Sequence, residues 1–401
     1  MLSLPPIPNN LPAKIQDLPP KWAHFALHML KFVEDELGIN LAGKGVLVAV
    51  SGGADSLCLL ILLKALQKRL NLNLQVCHLD HGLRPSSAQE ACWVEEVCKQ
   101  LNLFCHVRRI DIAALAAKEN LKMNSVSLNP ENSCEAADIH VKGLENTGRE
   151  ARYTLFEQVR KAEKLDFIAT AHTLNDLAED ICMRFLRGCG WPELGGMAGF
   201  DPKRFLIRPL LMQPRLKLEE MFVECGLSYL TDESNESMDY LRNRVRKQIV
   251  PMFTAENNGF LDHCRNLWSL ARDDNKFWEH YLSQVDKKLV IPNNTENREL
   301  ILPFSAFLKE DKAVRLRLYR HCLEKLAQNY HLLTTHTLKS RDDAEIKQDS
   351  AQIFTSASQV RELDNAVLRR VNGSGSGQMH IQFSGGASAQ VGKAEIVFSL
   401  L

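Results

Sequence analysis

The stretch from Val48 to Leu63, VAVSGGADSLCLLILL, places a glycine-rich turn between two apolar runs. Backbone N–H groups at the start of the second run can form an anion site, because Gly52 and Gly53 permit close approach. Ser51 and Ser56 add hydroxyl donors on either side of Ala54 and Asp55. A helix N-terminus contributes only about 0.3–2 kcal/mol per anion, whereas even millimolar binding needs roughly 4 kcal/mol, so the turn alone is insufficient. Nucleotide loops of the G-x-x-x-x-G-K-[ST] kind supply a lysine inside the motif. Here Lys44 lies before the first apolar run, and charge must come from a metal or from distant arginines. Asp55 is the informative residue, since a carboxylate beside a phosphate is repulsive unless it helps hold a divalent cation. A strand-to-helix turn that binds nothing is the competing account.

Three further segments carry chemistry. In HLDHGLRPSSAQE (78–90), Asp80, His81 and Arg84 follow an apolar run and face whatever lies at its end. In AHTLNDLAED (171–180), a helix opening at Asp176 would put Glu179 and Asp180 on its face at i+3 and i+4. Such a cluster is costly unless a cation joins it, although acids near a helix N-terminus are also common for reasons of the dipole. Arg242, Arg244, Arg246 and Lys247 make a dense positive run, either a solvated helix face or a set of phosphate contacts to RNA.

Alternating strands and helices are needed to position these residues. VLVAV (46–50), LQVCHL (74–79), LFCHVRRI and DFIATA read as strands, and the segments between them have helical spacing of apolar residues. The pattern predicts an α/β fold with a Rossmann-like, mostly parallel sheet and flanking helices, with ligands at the carboxyl ends of the strands. Residues 118–146 are polar and rich in Asn and Ser, and read as an inserted loop. Beyond Pro214 the character becomes helical, and the last sixty or so residues are polar, then Gly/Ser-rich, then strand-like in MHIQF and AEIVFSL. The expected divisions are therefore 1–214, a helical domain at 215–338, and a small β-rich region or tail at 339–401.

Composition excludes several classes. Lys+Arg and Asp+Glu balance at 49 each, so no global field attracts nucleic acid and any RNA contact is local. The eleven cysteines include no C-x-x-C pair, which argues against a disulfide framework and against zinc or iron–sulfur sites, and fits a reducing cytoplasm. No signal peptide and no membrane-spanning apolar run are read, so no membrane partner is expected.

SGGADS resembles the phosphate loop of the adenylating ATP pyrophosphatases, which cleave ATP between the α and β phosphates. LDHGLR, GREARYTLF (148–156), AHTLNDLAED, RGCGWPELGGMAGF (187–200), FLIRPLL (205–211) and TDESNESMDYLRNRVRKQIVP (231–251) resemble, in order, segments of the tRNA(Ile)-lysidine synthases. That resemblance implies ATP and Mg2+, with Ser51, Gly52, Gly53, Ala54, Asp55, Ser56, His81 and Arg84 at the nucleotide and Asp55 at the metal. It implies L-lysine held by Asp176 and Glu179, with Asp55, Arg152, His172 and Asp176 as the catalytic group. The lysine proton could pass to His172, to Asp176 or to a substrate group. Arg149 joins Arg152 as a phosphate or adenylate contact. The implied partner is isoleucine tRNA with a CAU anticodon, contacted by Arg208, Arg242, Arg244, Arg246 and Lys247, and a homodimer is left open. Asn175, Asp180 and Glu193 stand where the family has Asp, Thr and Gly. The alternatives are another adenylating tRNA-modifying or amidating enzyme, and a noncatalytic tRNA-binding relative.

Overall fold

The computed structural model describes residues 4–8, 10–80, 87–109, 149–230, 238, 240–287, 289, 298–337, 357–373, 379–383 and 386–400. His81, Arg84, the inserted segment 118–146 and the start of the 231–251 motif lie outside these residues. The chain forms two compact units, Met1–Asp273 and Asp274–Leu401.

In the first unit, α1 (Pro20–Lys31) leads through a π-turn at Phe32–Glu36 to Gly38, whose φ of +70° ends the helix as its lack of a side chain allows. Then follow β1 (Gly45–Ala49), α2 (Ala54–Leu70), β2 (Asn73–Asp80), α3 (Ser87–Gln100), β3 (Cys105–Arg109), α4 (149–162) and β4 (Phe167–Ala169). After them come α5 (Leu174–Leu186), the short strands β5 (Phe200–Asp201) and β6 (Leu206–Ile207), and α6 (Arg215–Cys225). The sheet order is β3-β2-β1-β4-β6-β5, parallel throughout except for the β5–β6 pair. This is the expected mostly parallel α/β sheet with flanking helices.

Chain direction makes this order functional. β2 and β3 lie on one side of β1 and β4 lies on the other, so the order reverses at β1 and β4. A crevice opens there, at the carboxyl ends, and it is bordered by the loop after β1 and the segment after β4. α2 is apolar nearly all round, with Leu57 to Leu63 buried, because α6 packs over it through Leu218, Met221 and Phe222. The expected division at 214 therefore falls inside this unit, where α6 belongs to the same core as the sheet.

The site is completed by α7 (Leu241–Arg244), which runs through a π-turn (Val245–Ile249) into α8 (Val250–Glu256), and by α9 (Phe260–Asp286), which the unit division crosses. Val245, Val250, Cys264 and Trp268 share a core with Leu174, Leu177 and Ile181 of α5.

The second unit is a four-stranded antiparallel sheet, β7 (Glu299–Pro303), β8 (Met379–Gln382), β9 (Ala387–Val391) and β10 (Glu395–Leu400), in the order β7-β10-β9-β8. α10 (Lys312–Thr337) and α11 (Ala357–Val371) contribute Leu318, Cys322, Leu363 and Val367 to its core. The region expected at 339–401 thus supplies three of the strands, and β7 comes from the preceding helical stretch. Inside this unit the fully buried Asp364 accepts from Arg315 Nε at 2.8 Å, Arg315 Nη2 at 2.9 Å and Tyr319 Oη at 3.1 Å. Asp364→Ala strips a buried guanidinium of its partner, and chemical denaturation followed in the second unit is expected to show a loss of about 3–5 kcal/mol.

Candidate functional site

The loop after β1 is closed by its own hydroxyls. Ser51 N–H donates to Ser56 Oγ at 3.2 Å and Ser56 Oγ–H donates to Gly53 O at 3.0 Å. Gly52 holds φ +93°, and a Cβ there would lie 2.6 Å from Leu230 Cδ1, so only glycine fits. α2 opens at Ala54, and the N–H groups of Ala54, Asp55 and Ser56 belong to its first turn, where no helical carbonyl can accept them.

Asp55 sits at the inner edge of this loop. Its Oδ2 accepts from Arg215 Nε at 3.1 Å, while its Oδ1 is buried with no hydrogen-bond partner. Burial pushes the carboxyl up to about 6 against the opposing pull of Arg215. An orphaned carboxylate oxygen beside unpaired amides fits one ligand of a divalent cation whose other ligands are phosphates and water, the arrangement magnesium favours. Among the described residues no group of three His, Cys, Asp or Glu side chains could hold a metal by itself.

Across the crevice, Thr173 caps α5. Thr173 N–H donates to Asp176 Oδ2 at 2.9 Å and Thr173 Oγ1–H donates to the same oxygen at 2.8 Å. That leaves Asp176 Oδ1 facing Arg242 at 3.1 Å, Arg246 at 3.2 Å and Arg215 at 3.5 Å. Glu179, one turn on and buried, takes Arg242 Nε at 3.0 Å and Arg246 Nε at 2.6 Å. The cation expected to join the acids is thus supplied by the chain itself. Burial disfavours ionisation of Asp176, but the charges of Arg242 and Arg215, His172 and the Thr173 N–H together outweigh it and hold the carboxyl well below its usual range.

His172 lies beside the pair, its Nδ1 2.9 Å from Thr170 Oγ1. Burial first, then the charge of Arg208, pulls it down to about 3, so the imidazole is neutral near pH 7. Arg208 is buried and donates to Ala198 O at 2.6 Å. Arg149 and Arg152 stand exposed on the first turn of α4. Arg244 and Lys247 are likewise exposed, whereas Arg242 and Arg246 turn inward to the acids.

The same loops match known proteins. Residues 23–253 match the PP-loop domain family. Over 304 residues the chain is 38% identical to a tRNA(Ile)-lysidine synthase of Nitratidesulfovibrio vulgaris, covering 71% of this chain and 82% of that relative. The chain belongs to the tRNA(Ile)-lysidine synthase family. It is also 32% identical to the synthase of Clostridium perfringens, covering 76% of this chain and 59% of the relative. For that of Enterococcus faecalis the identity is 32%, covering 67% and 52%. The chain thus spans little more than half the length of these last two.

Of the three departures from the family pattern, Asn175 and Asp180 bond through their side chains and Glu193 through its backbone oxygen. Asn175 Oδ1 accepts from Arg215 N–H at 2.9 Å and so caps α6, where the Pro214 ring offers no acceptor. Asp180 turns away from the acid pair to Arg184 Nε at 2.8 Å, and Arg184 Nη1 also donates to Glu193 O at 2.9 Å. Sequence reasoning missed Arg215, because it follows the proline read as a domain boundary. The signal was a basic residue opening a helix two residues after the strand-terminal segment FLIRPLLMQ, at the same end of the sheet as the loop.

Two expectations follow from this geometry. Gly52→Ala forces a strained backbone into contact with Leu230, costing about 1–3 kcal/mol at the loop, and a thermal-shift titration should show weakened ATP stabilisation. The raised Asp55 carboxyl means that the folded chain binds this proton more tightly than the unfolded chain, whose carboxyl lies near 3.8. Its contribution to stability is therefore fully present below about pH 4 and lost as pH rises through about 6. Asp55→Asn mimics the protonated form, and the nucleotide-free variant should be more stable at pH 7.5 by about 1–3 kcal/mol. The same variant should lose ATP turnover.

Proposed function

We propose that the chain ligates L-lysine to C2 of the wobble cytidine in isoleucine tRNA with a CAU anticodon, releasing AMP and diphosphate. The observation that carries this reading is a continuous line of ion pairs from the ATP loop to the acid pair: Asp55, Arg215, Asp176, Arg242, Glu179. It sets an anion-binding loop and an ammonium-binding pair side by side at one crevice.

The cytidine O2 attacks the α phosphorus and the bond to the bridging oxygen of the β phosphate breaks. First-turn amides of α2 and the Ser51 and Ser56 hydroxyls hold the leaving pyrophosphate. Mg2+, with Asp55 as its protein ligand, supplies neutralisation of the triphosphate when bound. Arg149 and Arg152 would contact the adenylate, since guanidinium forks suit phosphate oxygens. The lysine nitrogen then attacks C2, and the C2–O bond to AMP breaks.

Lysine enters as an ammonium with an ordinary pKa near 10.4, so it must be recognised as a cation and then lose a proton. An open cleft of about 480 Å3 supports the first task. Glu179 lies in its lining beside Arg215 and Arg246, which an ammonium must displace from the acids, while Val250 and Pro251 offer apolar wall for the methylenes and Thr254 and Asn258 offer polar groups for the α-amino end. The second task falls to His172, whose Nε2 is free when Nδ1 donates to Thr170. Bound nucleotide would offset the arginine contribution, the lesser of the two causes that depress this imidazole, and so move its basicity part of the way back. Exposed Arg244 and Lys247 provide tRNA phosphate contacts, whereas Arg208, expected to join them, is buried.

Incubating the full chain with Mg-ATP, labelled lysine and the CAU isoleucine tRNA is expected to put label into the tRNA with stoichiometric AMP. AMP without lysine dependence would favour another adenylating enzyme, and tRNA binding without AMP would favour a noncatalytic relative. His172→Gln should lower kcat for lysine transfer by about 10²–10⁴ while ATP affinity is retained. Glu179→Gln should act mainly on the KM for lysine.

A further inference from the structure

Among the described residues, Arg215 pairs with both halves of the site, Asp55 at 3.1 Å and Asp176 at 3.5 Å. Its two partners depend on it unequally. Asp176 Oδ1 also has Arg242 and Arg246, whereas Asp55 has Arg215 on Oδ2 and nothing on its buried Oδ1. The backbone of Arg215 is pinned where α6 begins by Asn175 Oδ1, at 2.9 Å from its N–H. The side chain can therefore change partners while its Cα stays in place.

Resting on the function proposed above, we propose that Arg215 is a positioning residue that couples the nucleotide and amine half-sites, so that each ligand tightens the other. Three carboxylates, Asp55, Asp176 and Glu179, face three guanidiniums, Arg215, Arg242 and Arg246, so the ligand-free cluster is balanced. In that state an ammonium reaching Asp176 meets three cations on one oxygen. A triphosphate on the α2 amides brings several negative charges next to Asp55 and draws Arg215 toward it. That movement relieves the repulsion between Asp55 and the phosphates and frees one position on Asp176 Oδ1. An ammonium on the acid pair does the reverse, pushing Arg215 toward the loop, where it favours the triphosphate. Linkage requires the two effects to be equal in size. Asn175 confines the exchange to the side chain.

The test is equilibrium binding of labelled L-lysine to the full chain, with and without Mg2+ and an ATP analogue whose α–β bridge is a methylene. The wild type is expected to bind lysine about tenfold more tightly with the analogue, within the usual 5–150-fold range of coupling. The ratio should fall close to unity in Arg215→Met and to an intermediate value in Arg215→Lys, which keeps the charge. Asn175→Ala, which leaves the guanidinium but frees its backbone, should lower the ratio as well, and decides with Arg215→Lys if the methionine variant does not fold. A wild-type ratio of one, or ratios in the variants equal to a raised wild-type value, would overturn the coupling. Failure of the underlying function looks different: the wild type would bind no lysine under either condition and transfer none to tRNA.

Discussion

Two buried carboxylates that must not be left unpaired govern this site. Asp176 and Glu179 lie in the first turns of α5 with almost no exposure, and a buried charge stripped of its partner costs about 3–5 kcal/mol. The chain meets that demand by bringing α6 and α7 to the open end of a parallel sheet, where their arginines close over the acids. Apolar packing of Leu218, Met221 and Phe222 holds α6 in the first unit's core, and the inward turn of Arg242 and Arg246 and the reach of Arg215 between Asp55 and Asp176 answer the need for pairing.

The sheet makes the pairing useful. Because strand order reverses between β1 and β4, the loop that offers free amides and the helix that offers acids emerge side by side. The loop amides and the acid pair are then adjacent, and Arg215 pairs with a carboxylate on each side. A reaction that joins an ammonium-bearing substrate to a group activated by triphosphate needs this adjacency. It also needs the opposite charges kept from neutralising each other before the substrates arrive, which the guanidiniums accomplish by occupying the acids.

Much of the first unit was legible in the sequence because its strands are continuous apolar runs and its helices are bounded by chemically specific signals. Asp176 marked the start of α5 to within two residues: the helix opens at Leu174, with Thr173 as its cap. The identities of the loop residues at 51–56 pointed to phosphate because few other structures require that sequence of small and hydroxyl side chains. What the sequence could not show was the direction of a helix face. Arg242 and Arg246 are four residues apart and share a face, but spacing does not say whether that face meets RNA or acids more than sixty residues earlier in the chain. The i+3 separation of Asp176 and Glu179 was the complementary signal, matched to arginines four apart. In the second unit, β9 is built from Ala, Ser, Gln and Val and lacks the branched and aromatic residues by which strands are recognised. The amphipathic helix α11 was hidden within a polar tail.

The central claim is that one line of ion pairs joins the loop after β1 to the acids proposed to bind the amine, and rearranges when nucleotide binds. A crystal structure of the full chain with Mg2+ and a nucleotide uncleavable between its α and β phosphates tests it directly. The account predicts the β and γ phosphates on the amides of Ala54 to Ser56, with the Arg215 guanidinium turned from Asp176 toward the phosphates. Nucleotide seated away from this loop, or bound there with Arg215 still bridging Asp55 and Asp176, would contradict it.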